Sequence, residues 1–573
     1  MKNLEIAEIF RDISQILEIK NENRFRIRAY DRAAQNLEIL SEDIEEVSRE
    51  ERLLEIPGIG KDLESKIKEY LVTGRIKAYE ELKKTIPPGL LEILNVPSVG
   101  PRTAGLLFRE MKIRDINDLG QKAKSGKLIG LPGIQKKTVE NILKGIALLK
   151  KGKERMNLAM AKAVGEEFVV MLKKLPEVKK ISIAGSLRRM KETVRDIDIL
   201  MISTHPQKIM DYFIKLPQVK EILAHGETKS SVLTKEGTQV DVRVVEEKSY
   251  GAALLYFTGA KNFNIKLRQM AIKKGLKVNE YGIFSTKGKR DVFVAGKTEE
   301  DMFKVLGMDY VEPELREDTG EVGLALKHQL PELVELKDIK GDLHCHSRWS
   351  DGGNSILEMA QAAKKRGYQY IAITDHSQGL RVANGLSIPD LKKKKAEIEK
   401  LNKNLKGLLI LYGTEVDIDS NGDLDYPDKV LAGFDVVVAA IHAGFKQSKE
   451  QLNKRIIRAC KNKHVNIIAH PTGVLWGQRE AYELDFDEVF KVAKDTGTFL
   501  EINSFFNRLD LNDIHCRRAK ELGAKMAVST DSHSTEQLSV MELGVAVARR
   551  GWLSKKDVIN TLSREELLKV LKK

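Results

Sequence analysis

From Leu336 onward, short apolar segments alternate with helical stretches, and this alternation limits the possible folds more than any other feature of the chain. The segments are 370–374, 408–412, 436–441, 465–469, 498–502 and 525–529. Continuous apolar runs of that length, spaced by helix-sized intervals, predict βα repetition and a parallel sheet or barrel. A set of His, Asp and Glu residues sits on this frame. It comprises Asp342-Leu343-His344-Cys345-His346, Asp351, Thr374-Asp375-His376, Gly413-Thr414-Glu415, Ile441-His442, Ala469-His470-Pro471 and Asp531-Ser532-His533. Six of the eight histidines in this block lie within or directly after a predicted strand; His464 and His515 do not. Side chains at successive strand C-termini converge on one mouth, and mixed imidazole and carboxylate donors suit Zn, Mn or Fe. Residues i and i+2 of a strand share a face, so His344 and His346 point together and Cys345 points into the core. The run Leu391-Lys392-Lys393-Lys394-Lys395 reads as a solvated helix face.

Between 151 and 311 the pattern is mixed. Ile181-Ser182-Ile183-Ala184 and Ile197-Asp198-Ile199-Leu200-Met201 read as strands. Residues 238–245 alternate, with Val240, Val242 and Val244 on one face and Asp241 and Arg243 on the other. Gly185-Ser186-Leu187-Arg188-Arg189 follows the first strand, and Asp196-Ile197-Asp198 opens the next. Asp196 and Asp198 share a face, and Asp241 occupies a third strand. Three carboxylates on adjacent strands suit two hard cations that bridge nucleotide phosphates and activate a 3′-hydroxyl for in-line attack. The Gly185-Ser186 turn and Arg189 would hold the triphosphate. A lone pair of Asp residues would read more simply as strand-end turn residues; the turn upstream and Asp241 argue for catalysis. Residues 312–340 form a proline-marked, strongly charged connector.

The first 150 residues read as short helices separated by Gly and Pro. One pattern recurs three times: Ile56-Pro57-Gly58-Ile59-Gly60-Lys61, Val96-Pro97-Ser98-Val99-Gly100-Pro101 and Leu131-Pro132-Gly133-Ile134-Gln135-Lys136. Each precedes a helical apolar pattern, as in a helix-hairpin-helix whose tight Gly turn aims backbone N–H groups at a phosphate. Copies two and three depart from the pattern at Ser98 and Gln135, so the first is the best phosphate binder. Ordinary αα-hairpins are the bland alternative, and three copies in a basic chain disfavour it.

Composition closes off several classes. The 573 residues, 42% apolar and 31% charged, suit about three to five soluble globular domains. No apolar run approaches the roughly 18 residues of a membrane span. The opening MKNLEIAEIF carries Glu5 and Glu8 where a signal peptide is apolar, so an intracellular protein is expected. Cys345, Cys460 and Cys516 cannot form a disulfide framework. The net charge of +14 is shared along the chain, with 38 basic and 32 acidic residues from Leu336 onward. It points to a polyanionic partner, without separating DNA from RNA.

Several of these motifs carry a family resemblance. Gly185-Ser186-Leu187-Arg188-Arg189, Asp196-Ile197-Asp198, Val240-Asp241-Val242-Arg243, Tyr256-Phe257-Thr258-Gly259 and Asn279-Glu280-Tyr281-Gly282 resemble the family X DNA polymerases over roughly 1–320. The resemblance implies that Gly185, Ser186 and Arg189 contact the nucleotide phosphates and that Asp196, Asp198 and Asp241 hold Mg. It implies that Tyr256, Phe257 and Gly259 line the sugar site, and that Asn264 and Arg268 face the incoming base and template. The N-terminal part resembles the family's lyase subdomain, with Lys66 at the Schiff-base position and Arg26, Tyr30 and Lys61 at a 5′-phosphate. Asp62 stands where strongly active relatives often carry lysine, and Lys66 reads equally well as a solvated helix lysine. Gly58, Gly60, Gly100 and Gly133 are the hairpin contacts to DNA.

The C-terminal set resembles the PHP (polymerase and histidinol phosphatase) domain, a distorted seven-stranded barrel with three metals, Mn or Zn. The resemblance implies one site of His344, His346, Glu415 and Asp531. A second would be Glu415, His442 and His470, with Glu415 bridging, and a third Asp351, His376 and His533. Arg508 reads either as a phosphate clamp or as a surface salt bridge.

The expected fold is multidomain α and α/β: a helical helix-hairpin-helix part, a nucleotidyltransferase palm with a mixed sheet, and a C-terminal distorted (β/α)7 PHP barrel. Expected boundaries are 1–80 (lyase-like), 81–150 (helix-hairpin-helix), 151–250 (palm), 251–320 (nucleotide selection), 321–340 (linker) and 341–573 (PHP). The resemblance implies a DNA-directed DNA polymerase that fills short gaps in repair from dNTPs on gapped or primed DNA. Its PHP domain would supply Mn-dependent 3′–5′ exonuclease, abasic-site endonuclease or 3′-phosphatase activity. A monomer in the cytoplasm, on the nucleoid when DNA-bound, is expected. The rivals are a histidinol-phosphate phosphatase fused to an inactive polymerase, and a DNA scaffold with two dead centres.

Overall fold

The computed structural model describes residues 2–572 apart from 39, 41–43, 95, 97, 98 and 289. It divides into two compact units: Met1–Lys153 with the short segments Gly352–Ser355 and Leu475–Glu480, and the remainder of the chain from Glu154.

The first unit is helical. Helices Lys2–Ile19 and Arg24–Glu38 bury Ile6, Phe10, Ile13 and Leu17 against Ala33, Ala34 and Leu37, at the three- and four-residue spacing of an apolar helix face. Each copy of the repeated pattern is followed by a helix: Lys61–Thr73, Pro101–Met111 and Lys136–Glu154. Gly58 and Gly133 adopt φ of +83° and +78°, which strains any L side chain, so the turn chemistry fixes these two positions. Gly60 and Gly100 are the N-caps of the helices that follow them. Pro97 and Ser98 of the second copy lie outside the described residues.

In the second unit, Met156–Asn157 (β1) and Thr193–Val194 (β3) form a small antiparallel ribbon. Val178–Ile183 (β2), Asp196–Ser203 (β4), Val219–His225 (β5), Lys229–Thr234 (β6) and Gln239–Val245 (β7) form a sheet of order β2-β4-β7-β6-β5. Only the central pair β4–β7 is parallel, so the sheet is mixed. Burial follows the alternation along β7: Val240, Val242 and Val244 are buried, and Asp241 and Arg243 are not. Leu276–Asn279 (β8), Gly282–Ser285 (β9) and Val292–Ala295 (β10) make an antiparallel meander after helices Tyr250–Thr258 and Lys261–Lys273.

The remaining seven strands are Gly341–Cys345 (β11), Tyr370–Ile373 (β12), Leu409–Asp417 (β13), Val436–Ala440 (β14), Ile467–Ile468 (β15), Phe499–Asn503 (β16) and Met526–Ser529 (β17). They pair in chain order and all in parallel. The ends meet: His346 N donates to Ser532 O (2.8 Å), and Asp531 N donates to His344 O (3.0 Å). The result is a nearly closed barrel whose strands are buried on both faces, which is why they read as unbroken apolar runs.

Two sequence expectations need correction. Strand β13 runs to Asp417, past the expected end at Tyr412. Gly413 lies inside the strand at a close approach: a Cβ there would lie 2.7 Å from Thr374 Cγ2. Within the lysine run, Lys394 is fully buried and donates to Ile373 O (2.9 Å), Gly413 O (3.0 Å) and Asp375 Oδ2 (2.8 Å). The charged connector 312–340 carries buried charges, with Arg316 and Glu321 at 0% exposure.

Arg316 belongs to a buried ion network. Its Nη1 donates to Glu299 Oε1 (2.6 Å), Arg188 Nη2 donates to Glu299 Oε2 (2.6 Å), and Tyr310 hydroxyl donates to the same oxygen (3.1 Å). Burial alone would raise the Glu299 carboxyl, but the two guanidiniums hold it down at about 2. A folded-state value below the unfolded one stabilises the fold above the unfolded value, and that gain is lost as pH falls through the folded value. Glu299→Gln should therefore cost about 3 kcal/mol at pH 7. The wild-type advantage in denaturant midpoint should narrow as pH drops below about 4.5 toward 2. A midpoint difference that stays constant over that range would refute this origin of the stability.

Candidate active sites

The first site lies on β4 and β7. Their parallel register sets Asp198 opposite Asp241, and Asp196 opposite Gln239. Ile197, Ile199, Val240 and Val242 are buried beneath, so alternation turns the three carboxylates to the other face. The Gly185–Arg188 turn folds onto this cluster. Gly185 has φ +64°, and a Cβ there would come within 2.3 Å of Asp198 Oδ2, so glycine is required on both counts. Burial, with the charges of Asp196 and Asp241 added, raises the Asp198 carboxyl to about 7. This crowd of like charges fits oxygen-seeking divalent cations, which would neutralise it.

The candidate nucleotide pocket surrounds the end of helix Tyr250–Thr258. Tyr256 meets Phe257 edge-on at 5.2 Å, and the Arg243 guanidinium lies 4.5 Å over the Phe257 ring. Gly259 leaves room for Phe263, which a Cβ would approach at 2.7 Å. Asn264 Nδ2 donates to Tyr256 O (2.6 Å) and Gly259 O (3.3 Å), bracing the helix end. Tyr256, Asn264, Arg268 and Asn279 line one small cavity. A second cavity of about 700 Å³ lies between the palm and the meander, lined by Lys229, Arg243, Lys248, Phe257, Tyr281 and Phe293 among others. Ser186 lies in the turn with its carbonyl accepting from Lys191 N (3.1 Å). Arg189 is engaged: its Nε donates to Glu317 Oε1 (3.0 Å), a partner 128 residues away, and its Nη1 to Thr258 O (2.5 Å).

The second site is at the C-terminal mouth of the barrel. Glu415 is its centre, 1% exposed. Its oxygens lie 3.4 Å from His344, 3.6 Å from His346, 2.9 Å from His376, 3.2 Å from His442 and 3.0 Å from His470. Asp531 Oδ1 is 3.2 Å from His346 Nε2 and 3.5 Å from His344 Nε2. Asp351 is 3.6 Å from His376 and 3.4 Å from His533. Three groups have donor atoms close enough to share an ion: His346, Asp351, His376 and His533; His344, His346 and Asp531; and His376, Glu415 and His442. Eight of the nine expected residues enter these groups; His470 enters none of them, although its Nε2 lies 3.0 Å from Glu415. The grouping differs from the expected one: His346 also joins the Asp351 set, His376 stands with Glu415 and His442 where His470 was expected, and Glu415 is not in the His344 set.

Electrostatics and unfilled valences fit a cation here. His346 Nδ1, His376 Nδ1 and Glu415 Oε2 are buried without a hydrogen bond; the 2.9 Å separation of the last two falls outside hydrogen-bond geometry. Burial raises the cost of charge on Glu415, yet the surrounding imidazoles hold its carboxyl well below the usual range. Burial and the neighbouring His533 and His376 push His346 down to about 4. His470 and Asp531 adopt φ of +27° and +54°, strained backbone of the kind found at functional centres.

Sequence reasoning missed the supporting shell. His344 Nδ1 pairs with Glu501 Oε1 at 2.7 Å, and Glu501 Oε2 accepts from His470 N (2.7 Å). His442 Nδ1 pairs with Asp417 at 3.2 Å. Asp375, held by Lys394, accepts from Ser347 and Ser350 beneath the mouth. Such partners fix ring orientation and tautomer. The position of Glu501 within a predicted strand was the available signal. Arg508 Nε lies 3.6 Å from Asp531 Oδ2 and its side chain is 14% exposed, so it stands at the cluster rather than in a surface bridge.

The helical unit holds the remaining candidates. Lys61 is exposed at the first turn after Gly60. Arg26 is exposed and pairs with Glu22 at 3.3 Å. Tyr30 is not beside it at the surface: it is 3% exposed and meets Phe10 edge-on at 5.6 Å in the core. Lys66 Nζ donates to the Asp62 carboxylate at 2.5 Å, one helical turn back.

The chain resembles known proteins along its whole length. Models of a helix-hairpin-helix domain match residues 1–76, a SAM-like helix-hairpin-helix tandem 90–147, a DNA polymerase beta thumb 253–317 and a PHP domain 342–505. The DNA polymerase/3′-5′ exonuclease PolX of Bacillus subtilis is 39% identical over 576 residues, covering 100% of both chains. A probable phosphatase of Thermoanaerobacter sp. is 33% identical over 38% of this chain and 89% of its own. DNA polymerase lambda of Rattus norvegicus is 25% identical over 55% of this chain and 56% of its own.

Proposed function

Because the chain belongs to the family X DNA polymerases that carry a C-terminal PHP domain, we propose that its two side-chain clusters divide opposite tasks on DNA. The protein is a DNA-directed DNA polymerase with 3′–5′ exonuclease activity, and DNA and dNTPs are its substrates. In our reading the palm carboxylates extend a 3′ end and the barrel cluster shortens it. The observation that carries this division is the chemistry of the two donor sets. Asp198 and Asp241 face each other in an all-carboxylate site, whereas Glu415 is ringed by five imidazoles. The phosphatase relative matches the barrel alone, so it gives no preference to a small-molecule phosphatase carrying an inactive polymerase.

Asp196, Asp198 and Asp241 would hold Mg, and the nine barrel residues would hold up to three ions, Mn or Zn. Bound there, such ions supply charge stabilisation at phosphoryl oxygens and an activated hydroxyl or water. The chain's own groups do the rest. Ser186 and Arg189 hold the triphosphate; Tyr256, Phe257 and Gly259 shape the sugar site; Asn264 and Arg268 face the base and template. Lys229, Arg243 and Lys248, set among aromatic rings, suit a nucleic-acid strand. Arg508 would clamp the scissile phosphate, and the same barrel chemistry extends to abasic sites and 3′ phosphates. We assign 1–80 and 81–150 to DNA binding, 151–250 to the palm, 251–320 to nucleotide selection, 321–340 to a packed connector and 341–573 to the nuclease.

Short-gap filling follows from the hairpins. With Gly58, Gly60 and Lys61 presenting donors to a downstream 5′-phosphate, that phosphate should raise incorporation into a one-nucleotide gap by about tenfold, the worth of a hydrogen bond to a charged group. The gain should shrink with added salt. Equal rates on 5′-phosphate and 5′-hydroxyl gaps at low salt would contradict the assignment.

A further inference from the structure

We propose that Arg550, a residue of the barrel, is a positioning residue of the polymerase centre: it holds Glu317, the carboxylate that competes with an incoming nucleoside triphosphate for Arg189. The proposal rests on reading the Gly185–Arg189 turn as the triphosphate site.

Arg550 ends the helix Met541–Arg550 and is 7% exposed. Its guanidinium ties together three segments far apart in sequence. Nη2 donates to Asp513 Oδ2 (2.5 Å) within the barrel domain. Nη1 donates to the main-chain oxygen of Arg189 (2.8 Å), to Glu317 Oε1 (3.1 Å) and, more weakly, to Glu314 O (3.4 Å). Arg189 Nε donates to that same Glu317 oxygen (3.0 Å), and Lys191 Nζ lies 3.6 Å from it. The side chain expected to grip phosphate is therefore already engaged.

A triphosphate presents more negative charge and more acceptors than one carboxylate, so it would draw Arg189 away from Glu317. That exchange leaves Glu317 mostly buried, and a buried carboxylate that loses its cation is costly. Arg550 and Lys191 remain on it, so Glu317 stays paired when Arg189 leaves. Arg550 also fixes the Arg189 carbonyl and with it the end of the turn. A side chain of the nuclease domain thus sets how readily the polymerase takes a nucleotide.

The test is single-nucleotide gap filling by the full chain, with KM for dNTP and kcat measured separately, and exonuclease rate as a control. Arg550→Met should raise KM about tenfold with little change in kcat, the scale of a lost charged hydrogen bond. Glu317→Gln should lower KM, because Arg189 then loses its ion pair and keeps only the bond from Nη1 to the Thr258 carbonyl (2.5 Å). The double variant should return toward wild type. A packing role alone would make both single variants harmful and the pair no better. None of these residues touches the histidine cluster, so exonuclease activity should persist and report folding. Wild-type KM in a folded Arg550→Met protein, or a double variant no better than Arg550→Met, overturns the proposal. If Arg550→Met loses exonuclease activity through misfolding, Glu317→Gln decides alone: an unchanged or raised KM overturns it. Failure of the underlying reading looks different, since Arg189→Met would then leave the KM for dNTP at its wild-type value.

Discussion

Glu415→Ala should lower the release of 3′-terminal nucleotides by about a thousandfold or more. Five imidazoles lie within 3.6 Å of this one carboxylate. Without it they would face one another with no anion at the centre, and ions on either side would lose their shared ligand. Metal ions contribute several kcal/mol to a phosphoryl transition state, and each 1.36 kcal/mol is about tenfold in rate. Loss of a more peripheral residue such as Asp351 should cost less. Chelation should stop degradation and added Mn should restore it better than Mg, because imidazole donors suit Mn while Mg prefers oxygen and holds its water. Retained gap filling would show that the Glu415→Ala protein is folded. Undiminished nuclease activity in that folded protein would place the chemistry elsewhere.

The second large effect belongs to the palm. Asp198→Ala combined with Asp241→Ala should abolish dNTP incorporation, again by at least about a thousandfold. These carboxylates face each other across β4 and β7 with Asp196 beside them. In chelator the variant should unfold no earlier than wild type, because removing these carboxylates relieves the burial and the like-charge repulsion that together lift the Asp198 carboxyl to about 7. Lost activity without lost stability is the signature of residues kept for cation binding. A double variant that still extends primers at near wild-type rate would refute the assignment.

Much of this was legible in the sequence for a physical reason. The barrel strands are buried on both faces, so their apolar runs announced them, and ligands at strand ends inherit the strand positions. The palm carboxylates were legible because alternation along β4 and β7 is strict. What escaped depends on contacts between distant segments. The extension of β13 past Tyr412 passes through Gly413, whose missing side chain leaves the space that Thr374 occupies. Lys394 looked solvated because a helix of charged residues hides a single inward position, and only the fold brings Asp375 beneath it. Tyr30 was expected beside a 5′-phosphate, and its packing against Phe10 depends on the helix pairing. Glu501, Asp417 and Glu317 carry no local motif; each acts on a residue brought near by the fold.

The most direct measurement places both activities in one experiment. A 5′-labelled primer annealed beside a 5′-phosphorylated gap is incubated with Mg and Mn, with and without dNTPs. Four proteins are compared: wild type, Asp198→Ala with Asp241→Ala, His344→Ala with Glu415→Ala, and all four substitutions together. Two independent centres in one chain require that wild type both extend and shorten the label. The palm variant should only shorten it, the barrel variant should only extend it, and the quadruple variant should leave it unchanged. Loss of both activities in either folded double variant, or shortening that survives in the barrel variant, would contradict the account.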